Sequence, residues 1–199
     1  MAQREPGGVS ESVSGAAGKV YPYPIPTDDG AADHLVGCPL PSLTLAGTGG
    51  PVDLSGLRGT LVVYAYTMMG APNLALPGDW DVIPGAHGST PQAEGYRDRL
   101  ADLSRAGADA VLGVSTQPEA EQREAHGRLA LNHPLLSDAD LALASALDLP
   151  TFGAGGRTLL RRVTMVVRDG AIVHARYPVH PPSDDAAAVL EWLNANPAG

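Results

Sequence analysis

The pattern of apolar and polar positions marks this chain out element by element. Leu61-Val62-Val63-Tyr64-Ala65-Tyr66 is a continuous apolar run. Such a run is the signature of a central strand buried on both faces. Asp109–Ser115 reads as a second central strand. Between them, Ala93, Tyr96, Leu100 and Leu103 recur at helical spacing and give one apolar face to a helix from Ser89 to about Ala106. Gly107 stops it. Pro118–Leu131 is a further helix, Pro134–Leu136 a short strand and Asp138–Leu147 another helix. Arg162–Arg168 and Ala171–Tyr177 form a hairpin across Asp169-Gly170, and Asp184–Asn194 closes the chain as a helix. Upstream, Ser42–Ala46 and Val52–Leu54 are the arms of a short hairpin. Phe152–Thr158 is a Gly-rich loop. The order predicts an α/β sandwich: a central mixed sheet between helices, with parallel crossovers first and an antiparallel hairpin last.

Two stretches lack periodicity. Residues 1–20 are rich in Gly, Ser and Ala, and are expected to be disordered. Tyr21-Pro22-Tyr23-Pro24-Ile25-Pro26 favours an extended strip, either a linker or an arm that docks on its own domain or on a second subunit. The chain therefore divides into a flexible N-terminal arm, 1–32, and one folded domain, 33–199. Thr67 to Gly88 is long for a loop, with Pro72, Pro77 and Pro84. Trp80 and Ile83 suggest that it packs as a lid.

Composition narrows the chemistry. A net charge of -9 argues against nucleic acid and anionic membranes as partners. No apolar run approaches the ~20 residues of a membrane span. No secretory signal is visible, so a cytoplasmic protein is expected. Lys19 is the only lysine, which removes Schiff-base chemistry from the body of the protein. Cys38 is the only cysteine, so no internal disulfide, CxxC pair or cysteine zinc site can form.

The candidate site is the turn Gly85-Ala86-His87-Gly88 leading into Ser89. Ser89 opens a helix, with Gln92 as a capping-box partner and Pro91 tolerated in the first turn. Backbone N–H groups and the positive end of the helix dipole gather there, which favours an anion or a developing negative charge.

Ser89-Thr90-Pro91-Gln92-Ala93-Glu94-Gly95-Tyr96-Arg97-Asp98, Val111-Leu112-Gly113-Val114-Ser115-Thr116, Leu135-Leu136-Ser137-Asp138 and Arg162-Val163-Thr164 together resemble the peroxiredoxins. The match is to the Q-type, or bacterioferritin-comigratory, group. The resemblance spans roughly residues 36–195 and implies a thioredoxin-like fold. It also implies what has changed. Ser89 stands where the family has its peroxidatic cysteine and Glu94 where the Q type has its resolving cysteine. Ala86 replaces a threonine, and Thr67 takes the place of a proline. Arg162, with Arg161 beside it, is the retained arginine. Peroxide reduction needs a thiolate that becomes a sulfenic acid, which a serine cannot supply. No thiol-peroxidase turnover is expected.

His87, His133 and His180 occupy places near the inherited pocket where the family pattern has other residues. His34, His126 and His174 read as peripheral. One reading is proton transfer on a small organic anion. His87 and Glu94 are then base and acid, Ser89 and the helix-start amides cradle an oxyanion, and Arg162 anchors the ligand. Tyr66, Thr67, Trp80, His133 and His180 would line the pocket. Ser89 and Glu94, however, lie roughly 140° apart at ~100° per residue round a helix. Two other readings stay open: metal binding by the histidines, for which no ordered ligand spacing exists, and a serine nucleophile, for which no G-x-S-x-G elbow exists. The favoured expectation is a cofactor-independent enzyme acting on a small-molecule substrate, with specialised metabolism as its setting and no metal. The alternatives are a non-catalytic binding or partner protein and a histidine-based oxidoreductase. Monomer and homodimer both remain open, the arm favouring a homodimer.

Overall fold

The computed structural model describes residues 22–72 and 75–198. The expected disorder of residues 1–20, Tyr21, and two positions of the lid therefore lie outside the described residues.

Seven strands form one mixed sheet. They are β1 (Thr44–Gly47), β2 (Val52–Asp53), β3 (Thr60–Ala65), β4 (Ala110–Ser115), β5 (Leu135–Ser137), β8 (Val163–Arg168) and β9 (Ala171–Arg176), in the spatial order β2-β1-β5-β4-β3-β8-β9. β3 lies parallel to β4, and β4 to β5, while β3 runs antiparallel to β8. β3 is buried at every position, as its unbroken apolar run requires. Its alternation divides the core. Leu61, Val63 and Ala65 face a cluster with Leu35, Leu143 and Leu147. Val62, Tyr64 and Tyr66 face the opposite cluster with Tyr96, Leu103, Val189 and Leu193. The helices are α1 (Ser89–Arg105), α2 (Glu119–Arg128), α3 (Ala142–Ala146) and α4 (Asp185–Ala195). This is the α/β sandwich that the element order predicts, with the thioredoxin-like fold that the resemblance implies.

Two local expectations are corrected. The Gly-rich stretch after α3 is a further hairpin, β6 (Thr151–Ala154) and β7 (Arg157–Leu160), turning at Gly155-Gly156 with both φ values positive. A Gly-Gly pair between two short strands is the chemistry of a two-residue hairpin turn. Helix α3 is shorter than its sequence pattern. The carboxylate of Asp138 accepts from the amides of Leu143 and Ala144, and Leu141 takes a left-handed φ of 58°, so the chain turns before the helix begins.

The lid is anchored. Trp80, on a 3-10 turn at Trp80–Val82, is buried with Met68, Ala86, Ala154 and Leu159, and Ile83 packs beside them. The β6–β7 hairpin thus supplies part of the surface on which the lid rests.

Candidate functional site

The site lies where β3 ends and α1 begins. The chain leaves β3 through Thr67, Met68 and Met69, passes through the lid, and returns through Gly85–Gly88 into α1. Gly88 is the N-cap, with φ 106°, a conformation natural to glycine. Ser89 is therefore the first helical residue and not the cap. The expected capping box does not form, because Gln92 turns its side chain to Asp185.

The Ser89 hydroxyl, almost fully buried, lies 2.9 Å from Thr67 Oγ1. Thr67 Oγ1 donates to the Ala86 carbonyl at 2.7 Å. A hydroxyl has one proton, so Ser89 is the donor to Thr67. Among the described residues no base takes the serine proton, so the arrangement lacks the base of a nucleophilic triad.

Arg162, at the loop before β8, is buried beneath the turn. Its Nη1 donates to the Gly85 carbonyl at 3.1 Å, and its Nη2 to the His87 carbonyl at 2.8 Å and, more weakly, to Ala86 at 3.4 Å. The guanidinium fixes three successive carbonyls and sets a positive charge under the start of α1.

His87 Nε2 lies 2.7 Å from Asp81 Oδ1, on the lid. Tyr23 stacks on the imidazole, with ring centroids 3.5 Å apart and planes 9° apart. The Trp80 ring meets it edge-on at 6.1 Å. These groups border a cavity of about 310 Å³, whose walls include Tyr23, Met68, Leu76, Trp80, His87 and Ser89. Gly70, Ala86, Gly88, Thr90 and Pro91 also line it.

A buried carboxylate holds α1 from behind. Asp185 Oδ2 accepts from Gln92 Nε2 at 2.9 Å, Tyr96 OH at 2.8 Å and Thr164 Oγ1 at 2.6 Å, and Oδ1 accepts from Arg176 at 2.9 Å. It ties α1, β8, β9 and α4 together at one point. Neither it nor Asp81 was marked in the sequence. Asp185 reads as an ordinary helix-start acid and Asp81 as a lid polar residue, so only the folded chain reveals their partners.

The candidates separate in space. His87, Ser89 and Trp80 line the cavity, and Thr67 and Arg162 support its floor. Glu94 is not among the lining residues. It is half-exposed, with its carboxylate 3.7 Å from Arg97. Tyr66 is fully buried with its hydroxyl toward Ser115 and Gln122, and burial raises its pKa. His133 accepts from or donates to Tyr64 OH at 2.7 Å and lines a different cavity of about 360 Å³ with Thr48, His126 and Asn132. Burial pushes its pKa down to about 4. His180 lies behind the turn, near Arg162 and Arg176. Burial first, and then those two cations, lower its pKa. Among the described residues, no group of three or more His, Cys, Asp or Glu side chains comes together to hold a metal. No helix of the described residues is long and apolar enough to cross a membrane. Cys38 stands apart from the cavity, at the strand edge beside β9, with its thiol toward the His34 carbonyl.

The sheet order, the flanking helices and a helix start at the end of the central strands define a thioredoxin-like protein. The Redoxin family model matches residues 35–190. Rv2521 of Mycobacterium tuberculosis, which carries the peroxiredoxin name, is 33% identical over 148 residues, 70% of this chain and 82% of its own. Among solved structures, peroxiredoxin Q of Xanthomonas campestris is 25% identical, with a TM-score of 0.60 over 86% of this chain and 96% of that one. Peroxidoxin BcpB of M. tuberculosis shares the fold at a TM-score of 0.66 and 23% identity, over 82% of this chain and 98% of that one. The chain belongs to the redoxin family, as a peroxiredoxin of the Q type.

Proposed function

We propose that this family member has left thiol chemistry. In this reading it uses the cavity at the start of α1 to bind a small organic anion and to move a proton on it. The observation that carries the reading is the His87–Asp81 pair, 2.7 Å apart, whose imidazole lines a cavity that also holds Ser89 and the start of α1. Ser89 takes the peroxidatic position, and its oxygen cannot store a sulfenic acid. Cys38, the remaining thiol, lies elsewhere in the fold.

His87 acts as the base, oriented by Asp81. The start of α1 and the charge of Arg162 stabilise the negative charge that forms on the ligand when its proton leaves. The proton returns to another atom of the same molecule, an isomerisation or cyclisation, or leaves with a departing group in an elimination. Glu94 has no part in this step, since its carboxylate meets Arg97.

A non-catalytic binding protein is the second reading. The observation favouring it is that Arg162 holds backbone carbonyls of the turn, which stiffens the site.

The test is deuterium wash-in. The protein is incubated in D2O with small carbon acids such as pyruvate and phenylpyruvate, and deuterium uptake is read by mass spectrometry. Catalysed uptake that falls about 100-fold or more in His87→Ala supports the enzyme. Saturable binding without uptake favours the binding protein. Peroxide consumption with a thiol reductant overturns both.

A further inference from the structure

The cavity has a wall that does not belong to the sheet-and-helix body. Tyr23 lies on the N-terminal arm, and its ring is a lining group. The arm is fastened just after it. The Pro24 carbonyl accepts from the Gly85 amide at 3.2 Å. Pro26 packs on Gly85 so closely that a Cβ there would come within 3.3 Å of it. Farther along, the Tyr177 hydroxyl bonds the Asp29 carboxylate and lowers its pKa. Tyr23 is thus placed by contacts of its neighbours as well as by its own stack on His87.

The remaining walls include the ring of Trp80, the apolar groups of Met68, Leu76, Ala86 and Pro91, and Thr90. Ser89 and His87 supply the polar end. At about 310 Å³ the space is at the small end of ligand pockets, which run from about 300 to 1,000 Å³, so it suits a one-ring molecule. Apolar walls alone would accept a saturated ring as readily as a flat one. Aromatic walls favour the flat one, because ring quadrupoles add to area burial.

We propose that the cavity takes a planar aromatic acid, with its carboxylate toward the backbone amides at the start of α1 and its ring against Tyr23 and Trp80, and that Tyr23 of the arm sets this preference. The proposal rests on the reading of the cavity as an anion site. It assigns the arm a part in specificity and makes Tyr23 a binding residue.

The experiment is isothermal titration of the full chain with three probes: phenylacetate, cyclohexylacetate and phenylacetamide. The second keeps size and charge but lacks a π face. The third keeps the ring but lacks the charge. An aromatic contact is worth about a 2- to 12-fold change in Kd. The expected result is that phenylacetate binds tighter than cyclohexylacetate by that factor. Tyr23→Phe keeps the difference and Tyr23→Leu, with an unchanged circular dichroism spectrum, removes it. Equal affinity for the two acids in the unaltered protein overturns the ring preference and leaves the anion site standing. A difference that survives in Tyr23→Leu overturns the role of Tyr23. Phenylacetamide binding as tightly as phenylacetate overturns the anion site, and with it the carboxylate half of the proposal. Absence of binding by all three overturns both readings.

Discussion

Ser89 donates to Thr67 across 2.9 Å because the one Thr67 proton already goes to the Ala86 carbonyl. The serine proton is therefore held by Thr67, at the first residue of α1. A thiol at this position would ionise readily. In a Cys38→Ser background, Ser89→Cys is expected to titrate well below the ordinary thiol value of about 8.5, read by thiolate absorbance near 240 nm. The same variant should react with peroxide, whereas the unaltered chain should not. A thiol that titrates at or above its ordinary value would show that the start of α1 does not favour an anion.

Arg162 fixes the carbonyls of Gly85, Ala86 and His87 with a planar fork. An ammonium is a point donor and cannot span them. Arg162→Lys is expected to cost about 1–3 kcal/mol in chemical denaturation. Hydrogen exchange at the Ala86 amide, which bonds the Ile83 carbonyl, should quicken. Unchanged exchange there would mean that the turn holds its shape without the guanidinium.

His133 gives the protein a pH dependence of definite sign. Its pKa in the folded chain is pushed down to about 4, from an ordinary value of about 6.5, because burial penalises the cation. Between those values the unfolded chain binds a proton that the native chain refuses. Stability therefore falls as the pH drops from about 6.5 to about 4, by up to about 3 kcal/mol from this residue. Burial lowers the pKa of His174 and His180 as well, in the same direction. His133→Gln keeps a partner for Tyr64 OH and cannot titrate. Urea denaturation at pH 7 and pH 4.5 should show a smaller loss in this variant than in the unaltered protein.

Asp185 is fully buried and receives four side-chain donors. Asp185→Asn leaves Arg176 without its charge partner and places an amide among donors. The expected loss is about 3–5 kcal/mol of unfolding free energy. Adding Arg176→Met should recover part of it, because the uncompensated charge is removed. If the double variant is no more stable than the single one, the loss lies in the hydrogen bonds to Gln92, Tyr96 and Thr164 instead.

Much of the fold was legible because its signals are local. The apolar run of β3, the helical spacing of Ala93, Tyr96, Leu100 and Leu103, and the Asp169-Gly170 turn each state their element within a few residues. The β6–β7 hairpin was less legible, because its strands are short and only Gly155-Gly156 marks the turn. Of the site, Ser89, His87 and Trp80 were legible as neighbours of the turn. Glu94 was drawn in by its place in a motif, yet its helix angle from Ser89 already opposed a shared face, and the fold pairs it with Arg97.

By itself the sequence determined the order of the main-sheet strands and the helices, the double-sided burial of β3, the lack of a second thiol and the family. These follow from periodicity, composition and contiguous motifs. Only the tertiary structure decided which distant residues meet. It brought Tyr23 of the arm onto His87, Asp81 of the lid to the same imidazole, Arg162 under the turn and Asp185 behind α1. The physical reason is that hydrogen bonds and ring stacks act over a few ångströms in space, and chain closure, not residue spacing, sets who arrives within that reach.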